Sequence, residues 1–286
     1  MLKIKAPAKI NIFLDVETPA REDGFHKILS VAGKISLFDE VFLTEAAGIS
    51  LEVDSPWKIP RGSGNLCMKA ARTMRKFAPS KGVKIKLKKR IPPGSGLGGG
   101  SSDAAAVIRG INKLWRLNLK DRELQKAGAS AGSDVPLFLH PGPFCRIEGR
   151  GERIIPVRKK ITGFVVLWFG KPLSTRDVYR QLDKKRKHPR SKLRGIRISP
   201  PLTGGDKGEG GKEEKMSPAL FYNILEEAAF DLRPYLLKKK NIFLANGAAG
   251  AGVSGSGSTV FGLFSVRVAA ENFCREHSSC QITEFL

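Results

Sequence analysis

The chain has 286 residues, of which 41% are hydrophobic and 27% charged, and its formal net charge is +23. This length can bury a substantial core in one large domain or two smaller ones, and the composition is ordinary for a globular protein. No apolar run approaches the length of a membrane span, and Lys9 and Asn11 interrupt the apolar stretch at the N-terminus. We therefore expect a cytoplasmic protein with neither a membrane anchor nor a signal peptide.

The cysteine pattern and the charge bound the function class further. The four cysteines form no CxxC pair and histidine is scarce, which argues against a zinc site. The positive charge raises nucleic-acid binding as one hypothesis, beside a solvated basic surface and electrostatic steering of polyanionic substrates. The basic residues are densest over residues 184–197.

The first elements are predicted as strands. Residues 3–16 alternate, with Ala8, Ile10, Ile12, Leu14 and Val16 on one face. Lys9 and Asn11 are two residues apart on the other face and point together, although a lysine on such a face is ordinarily only solvated. Residues 29–53 predict further strands, with turns at residues 39–40 and 47–48.

Residues 65–77 predict a helix that Asn65 caps, and residues 83–88 predict a strand that ends at two prolines. A loop rich in glycine and serine follows, and then a helix with an apolar stripe that Ser101, Ser102 or Asp103 can cap. Glycine lets the backbone approach a ligand, and free N–H groups at a helix N-terminus bind anions. The predicted phosphate-binding residues are Pro92, Pro93, Gly94, Ser95, Gly96, Leu97, Gly98, Gly99, Gly100, Ser101 and Ser102.

Other glycine-loop classes fit this stretch less well. A Walker A loop requires a lysine before its hydroxyl residue, and none is present. The dinucleotide-binding pattern GxGxxG matches at residues 94–99, but Asp121 and Glu123, about 20 residues on, fall at a predicted helix start rather than at a strand end. A purely structural loop would cost about 1 kcal/mol in chain entropy for each glycine.

The second half of the chain predicts a helix over residues 117–131, a hairpin over 142–157 and an apolar strand over 164–169. Asp134 lies two residues before a proline, which is typical of a helix N-cap. A helix that Ser174 or Thr175 can cap follows, and residues 184–217 read as a flexible loop. Further expectations are a helix over 220–237, a glycine turn over 255–259, a helix over 266–277 and a final strand.

Three segments together resemble the GHMP kinases: APAKINIFLDV with DGFH, then PPGSGLGGGSSDAA with GSDVP, and finally GSGST. The GGG-SS version of the loop is similar to the branch that phosphorylates a cytidine diphosphate derivative of methylerythritol in isoprenoid precursor synthesis. The resemblance implies an α+β fold in two domains. These are a ribosomal protein S5 domain 2-like domain over residues 1–158 and a ferredoxin-like domain over residues 159–286, with the active site between them.

The resemblance also implies roles for individual residues. Lys9 lies near the reacting phosphate, Asp134 faces the 2-hydroxyl that is phosphorylated, and Asn65 and Lys89 help to line the adenine pocket. The cofactors implied are ATP and Mg²⁺, which Ser101 or Ser102 could contact, while the metal ligands stay open. The implied substrate-binding residues are Asn11, Phe25, His26, Ser174, Thr175, Tyr179, Gly255, Ser256 and Gly257.

The sequence departs from the family pattern in two places, since Phe25 stands where tyrosine is usual and Ser133 where alanine is usual. Phenylalanine keeps a stacking face and loses the hydroxyl. A GHMP kinase with a different alcohol substrate remains an alternative, as does a basic nucleic-acid-binding protein, although no RNA-reading motif is present. We expect a monomer or weak homodimer that binds a small molecule, not a membrane or nucleic acid.

Overall fold

The computed structural model describes residues 1–17, 26–157, 161–187 and 221–286. These residues form two sheets with helices packed on them. The strands are β1 (Leu2–Val16), β2 (Ile28–Ala46), β3 (Ile49–Asp54), β4 (Gly82–Lys88), β5 (Phe144–Gly149), β6 (Arg153–Pro156), β7 (Phe164–Phe169), β8 (Tyr222–Asn223), β9 (Gly250–Val253), β10 (Thr259–Phe264) and β11 (Cys280–Glu284). The helices are α1 (Leu66–Arg75), α2 (Gly99–Leu114), α3 (Asp121–Ala131), α4 (Val135–Leu139), α5 (Thr175–Lys187), α6 (Glu226–Leu232), α7 (Tyr235–Ala245) and α8 (Arg267–Glu276).

The first sheet has seven strands in the order β3-β4-β2-β1-β8, with β5 paired to β2 and β6 paired to β5. The long strand β2 pairs with β1 along its length, with β5 through its first part and with β4 through its second part. Helices α1 to α4 pack on one face, because their apolar stripes and that face of the sheet share one core. The opening strand and the helix that Asn65 caps are both confirmed.

The predicted turn at residues 39–40 is wrong. Strand β2 continues through Asp39, which is completely buried and accepts the backbone N–H groups of Arg90 and Ile91. An acidic pair in a sequence commonly marks a turn, but here a carboxylate is paired inside the protein. The turn at residues 47–48 is confirmed between β2 and β3.

The capping of α2 also differs from the prediction. The helix begins at Gly99, and its N-cap is Gly98 in the left-handed conformation with φ +71°. Ser101 and Ser102 lie inside the first turn and Asp103 directly after it, and none of the three is the N-cap. The glycines of the loop therefore run directly into the helix and form its N-terminus.

The second sheet is antiparallel in the order β11-β7-β10-β9, and α5 and α8 connect its strands in the ferredoxin-like pattern. Strand β7 is apolar along its whole length because it is buried on both faces. Val166 packs into the core of this domain, while Val165 and Leu167 pack into a third core against β1 and β2. This third core joins the two domains.

The single helix predicted over residues 220–237 is wrong for its described part. The segment contains β8, α6 and α7, and the break between the helices falls at Arg233 and Pro234. Proline has no N–H to donate within a helix, and here it is the N-cap of α7. The short strand β8 pairs in parallel with β1, with Phe13 opposite Tyr222.

The chain changes from the first sheet to the second between Pro156 and Phe164. This interval brackets the predicted domain boundary at residues 158 and 159, which lies outside the described residues, so the boundary stays a prediction. Within the described ranges, no helix is both long and apolar enough to cross a bilayer.

Candidate active site

A cavity of about 360 Å³ lies where the two domains meet. It collects residues from the opening strand, the glycine loop, the start of α4, the start of α5 and the glycine turn between β9 and β10. Its polar or loop residues are Lys9, Asn11, Pro92, Pro93, Gly94, Ser95, Gly96, Gly98, Gly99, Gly100, Ser101, Asp134, Thr175, Tyr179, Gly255 and Ser256, and its apolar residues are Leu14, Ile28, Leu66 and Leu225. Segments that are far apart in sequence therefore form one site.

The glycine loop has backbone angles and close contacts that only glycine accommodates easily. Gly94, Gly96 and Gly98 have φ angles of +65°, +79° and +71°, which side chains other than glycine rarely adopt. A Cβ on Gly96 would lie 2.0 Å from the carbonyl oxygen of Ser254 in the second glycine turn. The same turn donates from Ser254 Oγ to the Gly96 carbonyl over 2.9 Å. The two turns are thus in direct contact, one from each domain.

Lys9 is buried against this loop. Its Nζ donates to Asn11 Oδ1 and, over 2.6 Å, to the carbonyl of Gly96. Asn11 is held in turn by donating to Ser30 Oγ over 2.8 Å. Burial lowers the pKa of Lys9, and the negative charge of Asp134 opposes that effect. The face of β1 that carries Lys9 and Asn11 is thus part of the cavity wall and is not simply solvated.

Asp134 occupies the N-cap position of α4, with φ −87°, but within the described part of the chain its side chain makes no capping hydrogen bond. It is exposed and lines the cavity that Lys9 also lines. The carboxylate therefore does not act as the helix cap that its position before Pro136 suggests, and it is available to a bound molecule.

Beneath the glycine loop lies a group that we call the Lys89 triad: Lys89, Asp39 and Asp103. Lys89 Nζ donates to Asp39 Oδ2 and, over 2.8 Å, to Asp103 Oδ2, and all three side chains are at most 4% exposed. Burial raises the pKa of Asp103 to about 8, while the ammonium of Lys89 opposes that rise. Burial alone would lower the pKa of Lys89, but the two carboxylates raise it. The triad joins β2, the residue that follows β4, and the second turn of α2.

Of the two residues predicted to line the adenine pocket, Asn65 lies next to a residue of the cavity wall and Lys89 does not line the cavity. Asn65 caps α1 by accepting the N–H of Cys67 over 2.8 Å, and the next residue, Leu66, lines the cavity. Lys89 lies outside the cavity lining, within its triad. Leu97 and Ser102 of the loop are also buried outside that lining, where they face the protein interior. An adenine contact by Asn65 or Lys89 stays a prediction.

The predicted substrate residues gather at α5. The ring of His26 lies 5.0 Å from the ring of Tyr179, and His26 Nε2 is 2.8 Å from Asp183 Oδ1. Burial, aided by the charge of Asp134, raises the pKa of Tyr179 to about 12, so its hydroxyl is neutral and can donate. Phe25 lies outside the described residues.

The remaining predicted substrate residues tie α5 to the second glycine turn. Thr175 Oγ1 and Ser256 Oγ are hydrogen-bonded over 2.9 Å, and Gly255 has φ +58°. Ser174 accepts the N–H of Asp177 over 3.3 Å, as a cap of α5 would. Ser174 and Gly257 are beside the cavity but do not line it.

Asp183 and Ser254 are site residues that the sequence reasoning missed. Asp183 follows Tyr179 by four residues, so both lie on one face of α5, and this spacing could have identified it. Ser254 carries no such signal, because its partner Gly96 is 158 residues away in sequence.

The residues at the loop fit a magnesium ion that is held mainly by nucleotide phosphates. In the described part of the chain, no cluster of three or more His, Cys, Asp or Glu side chains could hold a metal by itself. The hydroxyl of Ser102 is buried and has no partner among the described residues, and Ser101 lines the cavity at the N-terminus of α2. Mg²⁺ commonly takes few protein ligands when it is bound with substrate phosphates.

Comparisons with known proteins identify the family and the fold. Family models described as GHMP kinases N terminal domain and GHMP kinases C terminal match residues 65–142 and 203–280. The chain is 38% identical to the 4-diphosphocytidyl-2-C-methyl-D-erythritol kinase of Chlorobium phaeobacteroides, across 99% of this chain and 97% of the relative. It is 35% identical to the enzyme of the same name from Thermodesulfovibrio yellowstonii, across 100% and 98%. A crystal structure of 4-(cytidine 5'-diphospho)-2C-methyl-D-erythritol kinase is 31% identical, with a TM-score of 0.76 and full coverage of both chains.

Proposed function

The chain belongs to the 4-diphosphocytidyl-2-C-methyl-D-erythritol kinases of the GHMP kinase family, and on that premise we propose that it transfers the γ-phosphoryl group of ATP to the 2-hydroxyl of that substrate. The observation that carries the proposal is the convergence of Lys9, Asp134 and the glycine loop on one interdomain cavity. In phosphoryl transfer the protein mainly positions the reactants and stabilises charge, and these groups suit both tasks.

The glycine loop and the N-terminus of α2 hold the phosphates of ATP. With Gly98 as its N-cap, α2 presents the unpaired N–H groups of its first turn where the loop meets the cavity. These donors and the positive end of the helix dipole favour phosphate oxygens. Two hydrogen bonds fix the position of the loop. Ser254 Oγ of the second glycine turn donates to the carbonyl of Gly96, and the backbone N–H of Lys9 on β1 donates to the carbonyl of Leu97.

Lys9 and Asp134 act on the two sides of the transfer. The ammonium of Lys9 lies against Gly96 of the loop, and there it offsets the negative charge of the transferring group. The carboxylate of Asp134 accepts a hydrogen bond from the substrate hydroxyl, and so orients the oxygen and takes up its proton. The 2-hydroxyl oxygen then forms a bond to the γ-phosphorus, the bond from that phosphorus to the β,γ-bridging oxygen breaks, and ADP leaves with the electron pair of the broken bond.

Ser101 or Ser102 of the loop would help to hold Mg²⁺ beside the nucleotide phosphates. When bound, it neutralises charge on the phosphates. Either serine hydroxyl would present an oxygen ligand to the ion at the N-terminus of α2.

His26, Tyr179 and Phe25 bind the cytosine end of the substrate. Asp183 is an acceptor, so in the neutral form of the His26 ring it favours the proton on Nε2 and leaves Nδ1 as the acceptor nitrogen. An acceptor suits the exocyclic amine of cytosine, and the aromatic ring of Tyr179 offers a stacking surface. Phe25 offers a second surface, by its place in the sequence.

The test is the substitution Asp134→Asn, with Asp54→Asn on the exposed edge of β3 as the matched control. We expect Asp134→Asn to lower kcat by at least about 100-fold, since general-base catalysis contributes this much, while ATP still binds in a titration. Turnover near the wild-type value would remove Asp134 from the reaction and contradict the proposed site.

A further inference from the structure

Two buried lysines stand side by side beneath α4. In the ladder of β1 and β2, Lys9 is paired with Lys34, so the two side chains leave the sheet on the same face. Like charges in such a pair repel each other, and Lys34 is only 5% exposed. The two ammonium groups therefore need different partners, and they find them at different places.

Lys34 reaches the C-terminal end of α4. Its Nζ donates to the backbone carbonyl of His140, the residue that follows the helix. Arg109 of α2 donates from Nη2 to the carbonyl of Leu139, the last residue of the helix. Carbonyl groups at a helix C-terminus have no partner within the helix, and cations there are favourable. We call Lys34 and Arg109 the α4 clamp.

The other end of the same helix faces the reaction. Asp134 immediately precedes α4 and lines the cavity beside Lys9. A Cβ on Gly98 of the glycine loop would lie 2.8 Å from the ring of Phe138 in α4 and 3.3 Å from Lys9 Cε. Helix α4 therefore contacts the glycine loop through Phe138, in its last turn beside the α4 clamp, and it carries Asp134 at its opposite end.

The helix can carry a displacement from one end to the other. All five of its residues, Val135–Leu139, are buried. On its other side Gly128 of α3 is so close that a Cβ there would lie 2.5 Å from Leu139 Cδ1. A packed segment of about one and a half turns moves as a unit, because close-packed interiors transmit strain.

The buried ammonium group of Lys34 is not easily explained by a contribution to folding stability. Burial lowers the pKa of Lys34 to about 8, and the positive charge of Arg109 contributes to that lowering, while Cys145 on β5 opposes it. Apolar residues that replace buried charged groups often leave a protein equally stable or more stable. The contacts of α4 suggest another role for Lys34, which is to fix the position of this helix.

We propose that Lys34, with Arg109, is a positioning residue that sets the place of the Asp134 carboxylate relative to Lys9 by fixing the C-terminal end of α4. The inference rests on the proposed role of Asp134 in the reaction. Lys34 contacts neither reactant; it acts through the helix. Since Lys9 and Lys34 are neighbours in one ladder, the same part of the sheet sets both ends of the transfer site.

The experiment is a double-mutant cycle between Lys34→Met and Asp134→Asn, measured by steady-state kinetics and thermal unfolding. We expect Lys34→Met to lower kcat about tenfold or more and to change the KM for ATP by less than about threefold, since misplacement of a reacting group by about 1 Å can cost 100-fold. In the Asp134→Asn background, Lys34→Met should lower kcat by less than about twofold, because residues that act as a unit are not additive.

Three further variants complete the design. Lys34→Arg should restore part of kcat, Arg109→Met should lower kcat in the same direction as Lys34→Met, and Lys113→Met, on the exposed surface of α2, should leave kcat unchanged. Unchanged kcat in both clamp variants, or effects that multiply with Asp134→Asn, would overturn the α4 clamp proposal. If Lys34→Met does not fold, Arg109→Met with its own Asp134→Asn cycle decides. Full turnover in Asp134→Asn alone would instead remove the proposed role of Asp134 in the reaction, on which this inference rests.

Discussion

At the scale of single residues, the site depends on partners that fix how each functional group is presented. Asn11 holds the ammonium of Lys9, and Ser30 holds Asn11. Asp183 does the same for His26, since a carboxylate accepts and so selects the tautomer with its proton on Nε2. These supporting groups need not touch the reactants, because their effect is on the orientation and protonation of the groups that do.

We predict that Asp183→Asn weakens binding of the cytidyl substrate. An amide can donate to Nε2 and so stabilise the tautomer with the proton on Nδ1, which leaves no acceptor for the cytosine amine. The KM for the cytidyl substrate should rise about tenfold, in keeping with one or two lost hydrogen bonds, while the KM for ATP changes little. Steady-state kinetics with each substrate varied in turn measures both.

Asp231→Asn is the control for this variant, since Asp231 contacts α5 through Gln181 and Lys185 without reaching His26. A rise in the KM of the control equal to that of Asp183→Asn would assign the effect to the packing of α5.

At the scale of elements, the Lys89 triad ties together the three pieces that carry the phosphates. Asp39 is on β2, Lys89 follows β4, and Asp103 is in the second turn of α2. Asp39 also accepts the N–H groups of Arg90 and Ile91 just before the loop. A buried ion triad of this kind is costly if one member is removed, because the remaining charges lose their compensation.

We predict that Lys89→Met lowers the free energy of unfolding by about 3 kcal/mol, because Asp39 and Asp103 then lose the buried cation from which both accept a hydrogen bond. Chemical denaturation monitored by circular dichroism gives this value. Lys84→Met on the same strand is the control, since its pair with Glu52 is exposed and such pairs contribute about 1 kcal/mol or less. Equal effects of the two substitutions would mean that the triad does not stabilise the loop.

The close contact between the glycine loop and the second glycine turn can be tested with a substitution at Gly96. Gly96→Ala places a Cβ 2.0 Å from the Ser254 carbonyl at a backbone φ of +79°, so the turns must separate. We expect kcat/KM for ATP to fall at least tenfold, on the order of the effect of a displaced catalytic loop. Gly48→Ala, where a Cβ meets nothing within 4 Å, should leave it unchanged.

The local pattern of apolar and polar residues predicted most helices and strands correctly. It failed where a residue far away in the sequence determines the local structure. The apolar alternation of β1 and the stripe of α2 are local properties, and both elements formed as expected. The turn expected at Asp39 failed because Lys89, 50 residues away, neutralises its charge in the interior. The single helix expected over residues 220–237 failed at Pro234, a local signal that the apolar pattern on both sides concealed.

At the scale of the whole molecule, the order of the three motifs along the chain was enough to predict the two-domain fold and the family. The spacing of the motifs along the chain does not show that they meet in one cavity. Their meeting depends on the third core, which joins the two domains through β1, β2, β7 and β10. The contacts of the α4 clamp were equally inaccessible, since Lys34 and His140 are 106 residues apart in sequence. The net charge of +23 suits two polyanionic substrates, whose approach a positive potential accelerates.

The most direct test of the account is release of ADP from ATP and Mg²⁺ in the presence of 4-diphosphocytidyl-2-C-methyl-D-erythritol, measured beside galactose, homoserine and mevalonate as acceptors. We predict ADP release with the cytidyl compound alone, because only it offers both the hydroxyl for Asp134 and a base for His26 and Tyr179. Release with one of the other alcohols and none with the cytidyl compound would contradict the account.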